Sequence, residues 1–268
     1  MKFWDIFISV YFCALSTCAT THYVSEGQNL QVAIDAAQNG DTILVSQGVY
    51  DPIASYKNIV VSGVDGKYQT IIDGGNSSRC AYLEGSFTLQ GFTLRNGYQN
   101  GGNYPTSWGG GALLQDNAVL IDCIIVNNRC TPHGGGVCLL YGGRVENCII
   151  ANNYANTGGG VYLYMQGEII NCHIYNNRMQ NIFTSGGTVT GNIEEAPDVP
   201  PEIVSFTTNM VSFTSLIGYS YKVKEAATID GTWETKAILV GNGSLLFYTP
   251  LFQFDQRKGF IRIWRFTP

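Results

Sequence analysis

The amino-acid sequence predicts an all-β fold: a parallel β-helix of about six coils with a short N-terminal capping helix, then a small antiparallel β-sandwich. Three observations carry this. First, glycine triplets at 109–111, 134–136 and 158–160 recur at steps of 25 and 24. Cys123, Cys148 and Cys172 recur at the same steps, as do the pairs Asn127-Asn128, Asn152-Asn153 and Asn176-Asn177. Three independent markers with one period mean stacked coils, each unable to bury its inner face alone. Second, the 268 residues include 32 glycines and only 13% charged residues, a balance that suits an exported β-protein. Third, the residues after 202 break into short alternating strands separated by turns such as Asp230-Gly231.

The elements follow in order. Residues 1–19, MKFWDIFISVYFCALSTCA, carry Lys2, an apolar centre and a small-residue end. This is the pattern of a secretory signal peptide cleaved after Ala19, with an apolar core too short to span a membrane. Leu15-Ser16-Thr17-Cys18 offers a lipobox-like alternative anchored at Cys18, although Thr17 departs from the usual Gly or Ala. The expected location is extracellular or at the cell surface. Asn29 can cap a helix whose Leu30, Ile34 and Ala37 form one apolar stripe, with Gly40 stopping it. Such a helix plugs the end of a solenoid. Strands are expected near 42–46, 59–62, 70–73, 80–83 and 87–94, with the β-helix running over 20–193.

Faces can be assigned from the repeat. Ala112, Val137 and Val161 form one column, and Leu114, Leu139 and Leu163 another; two residues apart, they share the inner face. Leu120, Val145 and Ile169, the three cysteines, and Ile125, Ile150 and Ile174 complete the interior. Asp122, Asn147 and Asn171 shift the alternation by one residue, in a left-handed conformation that Asp and Asn tolerate. One asparagine of each pair is expected to stack into an amide ladder at the bend. Coils stand about 4.8 Å apart, whereas disulfide Cβ atoms prefer about 3.8 Å, so the cysteine column should hold free thiols. The states of Cys80, Cys130 and Cys138 stay open.

The pattern GGG-[AV]-x-L followed by [DN]-C-x-I-x-N-N resembles the coils of right-handed parallel β-helices of the pectin-lyase-like class. It is also similar to the repeats of chlamydial polymorphic outer-membrane proteins, through Gly110-Gly111-Ala112-Leu113, with Ile125 where Phe is usual. Residues 30–50, 70–74 (TIIDG) and 89–97 (LQGFTLRNG) resemble the opening of bacterial secreted β-helix proteins. The resemblance implies right-handed coils over about 23–193, and no particular activity, since folds host many.

Residues 194–202, EEAPDVPPE, are Pro-rich and acidic and are expected to be a linker. The module over 203–268 alternates as IVSFTT, MVSFTSL, YSYKVKEA, TKAILV, SLLFYT and FIRIWRF. Its Tyr221-Lys222-Val223 and Gly231-Thr232-Trp233 resemble C-terminal β-modules of secreted proteins from environmental bacteria, with Trp233 expected in its core.

Function is less legible. The net charge of −5 leaves no clustered cations for nucleic acid, and no basic groove for an acidic polymer is evident. The motifs of polygalacturonases and pectate lyases, Gly-His-Gly, Arg-Ile-Lys and Arg-x-Pro-x-x-Arg, do not occur. Asp73 is expected to serve a turn, Asp122 a corner, and Arg144 to pair with Glu168 on the next coil. His133 and His173 are expected at the surface, and the histidines show no metal spacing. No cofactor is implied, and a monomer is expected. Two features stand out. The step from Phe92 to Cys123 is 31, which places a protruding loop over GYQNGGNYPTSWGGG with Tyr98, Tyr104 and Trp108 as rings for sugar stacking. Arg129, Tyr154 and Arg178 share the register after each Asn pair and should form an outer cation–π column. These six residues are the candidate ligand site. The leading expectation is a non-catalytic, adhesin-like protein that binds glycan or another surface; the alternative is a polysaccharide lyase or glycoside hydrolase with acids drawn from different coils.

Overall fold

In the computed structural model of the protein, residues 19–101 and 107–191 are described, together with the backbone of six strands between 203 and 266. The expected leader (apart from Ala19), Cys18, the linker and Trp233 lie outside the described residues.

The chain opens with β1 (Thr21–Val24) and α1 (Leu30–Ala36). The first coil follows as β2 (Thr42–Val45), β3 (Gly48–Tyr50) and β4 (Ile53–Ser55), and the second as β5 (Val60–Gly63), β6 (Thr70–Asp73) and β7 (Ala81–Leu83). The third holds β8 (Thr88–Gln90), β9 (Thr93–Arg95), β10 (Tyr98–Gln99) and β11 (Ala112–Gln115). The fourth holds β12 (Val119–Ile121), β13 (Ile124–Val126), β14 (Arg129–Cys130) and β15 (Val137–Leu140). The fifth is β16 (Arg144–Glu146), β17 (Ile149–Ala151) and β18 (Val161–Tyr164), and the sixth β19 (Glu168–Ile170), β20 (His173–Tyr175) and β21 (Ile182–Thr184). β22 (Thr188–Thr190) opens a further turn.

Equivalent strands pair in parallel, in three long sheets and the short pair β10–β14. With β1 ahead and β22 behind, the solenoid makes about seven turns rather than six. The extra turn comes from β1, which pairs in register with β2 although a helix separates them. The expected strand over 87–94 is two strands, because Gly91 turns the chain in a left-handed conformation (φ 73°). Asp122, Asn147 and Asn171 do the same at φ 49°, 54° and 53°, as their register anticipates.

The inward columns are as assigned. Ala112, Val137 and Val161 stack in register, with Leu114, Leu139 and Leu163 two residues on, and all six are fully buried. Leu120, Val145, Ile169 and Ile125, Ile150, Ile174 join them in one continuous core. All six described cysteines are free and buried. At the N-terminal end, α1 lays Leu30, Ile34 and Ala37 on that core. Asn29 Oδ1 accepts from Val32 N at 3.1 Å. The helix ends at Ala36, short of Gly40, because the Lys57 ammonium donates to the carbonyls of Ile34, Asp35 and Ala37 at 3.0, 2.6 and 2.6 Å. Beside it Asp41 accepts from the backbone N–H groups of Gln38 and Thr20 and pairs with His22, contacts that hold its carboxyl down at about 2.

The C-terminal strands β23 (Ile203–Phe206), β24 (Val211–Thr214), β25 (Ser220–Ala226), β26 (Glu234–Val240), β27 (Leu245–Tyr248) and β28 (Phe260–Phe266) fall where the alternation put them. They form two antiparallel sheets, β23-β24-β27 and β26-β25-β28.

Candidate ligand groove

The corner after the second sheet builds the site. Asn127, Asn152 and Asn176 each adopt a left-handed conformation (φ 55°, 55° and 53°), which reverses the chain and sends the next asparagine inward. The inward set forms the expected ladder. Asn128 Nδ2 donates to Asn153 Oδ1 at 3.1 Å, Asn153 Nδ2 to Asn177 Oδ1 at 3.0 Å, and Asn177 Nδ2 to Asn181 Oδ1 at 3.2 Å. Each amide also donates to a carbonyl of the preceding coil, those of Leu94, Ile125 and Ile150. Gly97 N–H donates to Asn128 Oδ1 at 2.7 Å and starts the row.

The glycine triplets hold this corner closed. Their first members are left-handed, at φ 75°, 68° and 61° for Gly109, Gly134 and Gly158. A Cβ on Gly110, Gly135 or Gly159 would strike the carbonyl of Arg129, Tyr154 or Arg178. A Cβ on the third glycines would come within 2.7–2.9 Å of the ladder amides of Asn128, Asn153 and Asn177.

Arg129, Tyr154 and Arg178 therefore stand directly above one another, joined by parallel bridges. The Cζ of Arg129 lies 5.0 Å from the Tyr154 ring centroid and that of Arg178 lies 5.5 Å from it. Arg129, Asn152, Asn153, Tyr154, Asn176 and Arg178 line an open groove of about 480 Å³. Among the described residues no carboxylate lines it and neither arginine forms an ion pair. A basic groove exists after all, despite the acidic chain, because the period gathers two cations that are 49 residues apart in sequence.

The aromatic loop is placed differently from expectation. Tyr98 pairs in register with Arg129, so it extends the column rather than a protruding loop. Carrying the alignment of Phe92 with Cys123 six residues further would have found it. Tyr104 lies outside the described residues. Trp108 does not present its ring to solvent: it is 7% exposed and packs edge-on against His133 and Tyr162, with centroids 4.7 and 5.3 Å apart. The reason is the outer face of the third sheet, where Leu113, Cys138 and Leu140 are apolar and Trp108 covers them. His133 is half-buried rather than at the surface. It stacks on Tyr162 at 4.5 Å with a buried Nδ1 that has no hydrogen-bond partner, and burial pushes its pKa below the ordinary histidine value.

Other expected roles divide. Asp73 accepts from Gly75 N, Arg95 Nε and Asn96 Nδ2, a turn-and-corner role. Asp122 turns its corner and also pairs with Lys67. Arg144 stands opposite Glu168 but pairs with Glu146 on its own strand. Along a short strand, residues two apart share a face, and Glu146 offers the nearer carboxylate. The outward column of His173 is not wet: Ile124 and Ile149 are buried there with Val126, Ala151 and Tyr175, and Tyr68 from the loop after β5 packs on them. Burial pushes the Cys80 thiol up to about 12 and raises that of Cys148 well above its ordinary value. Among the described residues no three metal-ligating side chains converge. No helix among them is long and apolar enough to cross a membrane.

No protein-family model matches this chain, and no curated protein matches its sequence.

Proposed function

We propose that this chain is a non-catalytic extracellular or cell-surface β-helix protein, adhesin-like, that holds a glycan in the Arg129–Tyr154–Arg178 groove. The sandwich of two guanidiniums on one tyrosine is the observation that carries the reading. Hydrogen-bonded coils fix it in place, and it opens to solvent beside the amides of Asn152 and Asn176. The leader-like N-terminus supports export, and the acids nearest to family motifs, Asp73 and Asp122, are engaged in ion pairs. The repeat signature supports placing the solenoid with right-handed pectin-lyase-like β-helices and near the chlamydial outer-membrane repeats. A panel of plant, algal and host polysaccharides, incubated with the protein with and without Ca²⁺, tests the function. Polymer retained at unchanged chain length is the expected result. Shortened chains would make this a carbohydrate-active enzyme and overturn the proposal.

A further inference from the structure

We infer that the groove takes an anionic polysaccharide that carries one carboxylate or sulfate on every second sugar, laid along the solenoid axis. The inference rests on the reading of the groove as a glycan site and adds the chemistry and spacing of the ligand.

The first step concerns the ring. A neutral-sugar site offers an aromatic face for stacking. Both faces of Tyr154 are taken, one by Arg129 and the other by Arg178. Only its edge and hydroxyl remain for a ligand. The groove therefore recognises charge rather than a sugar face.

The second step concerns the cations. A guanidinium is flat, and stacking one face on a ring leaves its N–H edge free for two parallel hydrogen bonds to a carboxylate or sulfate. Arg129 and Arg178 are exposed, and among the described residues no acid lines the groove to neutralise them. Stacking also pre-orients both side chains, which reduces the ordering cost of binding.

The third step is the period. The column reads Tyr98, Arg129, Tyr154, Arg178, alternating neutral and cationic from coil to coil. Coils repeat at about 4.8 Å, so cations recur at about 10 Å along the axis. An extended β-linked polysaccharide advances by a similar length per sugar as the solenoid does per coil. Its acidic groups meet the arginines when every second sugar carries one, and the intervening sugar then faces Tyr154 and the amides of Asn152 and Asn176.

The test compares four probes on the full-length protein by calorimetry over a salt series: an alternating uronate–hexosamine polymer, a polymer with a uronate on every sugar, a neutral glucan and single-stranded DNA. The alternating polymer should bind about tenfold tighter than either other glycan, and more weakly as salt rises. Arg129→Gln and Arg178→Gln should each weaken it about tenfold without moving Tm, and Arg129→Lys should rescue only partly, since lysine lacks the fork. Equal, salt-insensitive binding of the glucan would keep the glycan reading and sink this inference. Equal binding of the every-sugar uronate would sink the spacing. Preference for DNA would overturn the ligand class, and binding of none would overturn both readings.

Discussion

Cys148 shows what the interior of a coil demands. Its thiol is fully buried between Cys123 and Cys172, with Cys123 N–H donating to its sulfur at 3.3 Å. Cys148→Asp should abolish the folded state, because a carboxylate there is unpaired and dry; a far-ultraviolet spectrum and melt like those of the wild type would disprove its inward placement. Trp108→Ala should lower stability by about 3 kcal/mol in urea denaturation, the cost of emptying a large aromatic site. A change under about 0.5 kcal/mol would mean that the ring contributes no packing. His133 adds a pH dependence. Its folded pKa lies below the ordinary 6.5, so the unfolded chain binds the proton more readily at low pH. Its contribution is complete above about pH 6.5 and is lost as pH falls below that. Tm should drop between pH 7.5 and 5.5, and His133→Phe should flatten that drop; an equal drop in the variant would assign it to other groups. At this scale the sequence was informative wherever a residue sat in a repeated column. Cys148, Leu139 and Asn153 were legible because neighbours at 24 or 25 residues shared their chemistry. Trp108 was not: its register with His133 and Thr157, one residue before each glycine triplet, gives its place on the coil, but three side chains of unlike chemistry do not say whether the ring is buried.

The corner element depends on donors shared between coils. Asn153 Oδ1 serves both the backbone and the side-chain amide of Asn128, and its own amide reaches Ile125 O. Asn153→Ala should cost about 3 kcal/mol by leaving several buried groups unpaired. A loss below about 1 kcal/mol in denaturant titration would mean that water replaces the ladder. The glycine triplets and asparagine pairs announced this element in sequence, and their roles turned out to be complementary: one makes room for the other. The groove beside it was only half legible. Arg129, Tyr154 and Arg178 were visible as a column, but Asn152 and Asn176 joined the site only because a left-handed residue turns its own side chain out. Ion pairing was harder still, since Arg144 could choose between a residue on its own strand and one on the next.

The solenoid is a stack in which strand pairing joins only adjacent coils, so stability is shared unevenly along it. The N-terminal end is sealed by α1 and Lys57. Toward the other end Thr184 and the residues of β22 are exposed, with Val189 at 39%. Amide hydrogen exchange should therefore be slowest in the third to fifth coils and fastest over residues 182–190. Uniform protection throughout would mean that the solenoid opens as one unit. The number of turns was underread because β1 carries no repeat marker, yet its pairing with β2 obeys the same register as the rest. The amide row gives this stack a direction. Along the row each amide oxygen accepts from the coil before it, and Asn128 and Asn153 each donate onward to the next coil, so the amide-to-amide bonds all run one way, as peptide dipoles do in a helix. Each inner coil thus offers a donor to the coil that follows it, which gives the row a polarity along the stack. At Asn177 that acceptor comes from Asn181, four residues on, whose Oδ1 takes both the backbone and the side-chain amide of Asn177 without a new coil.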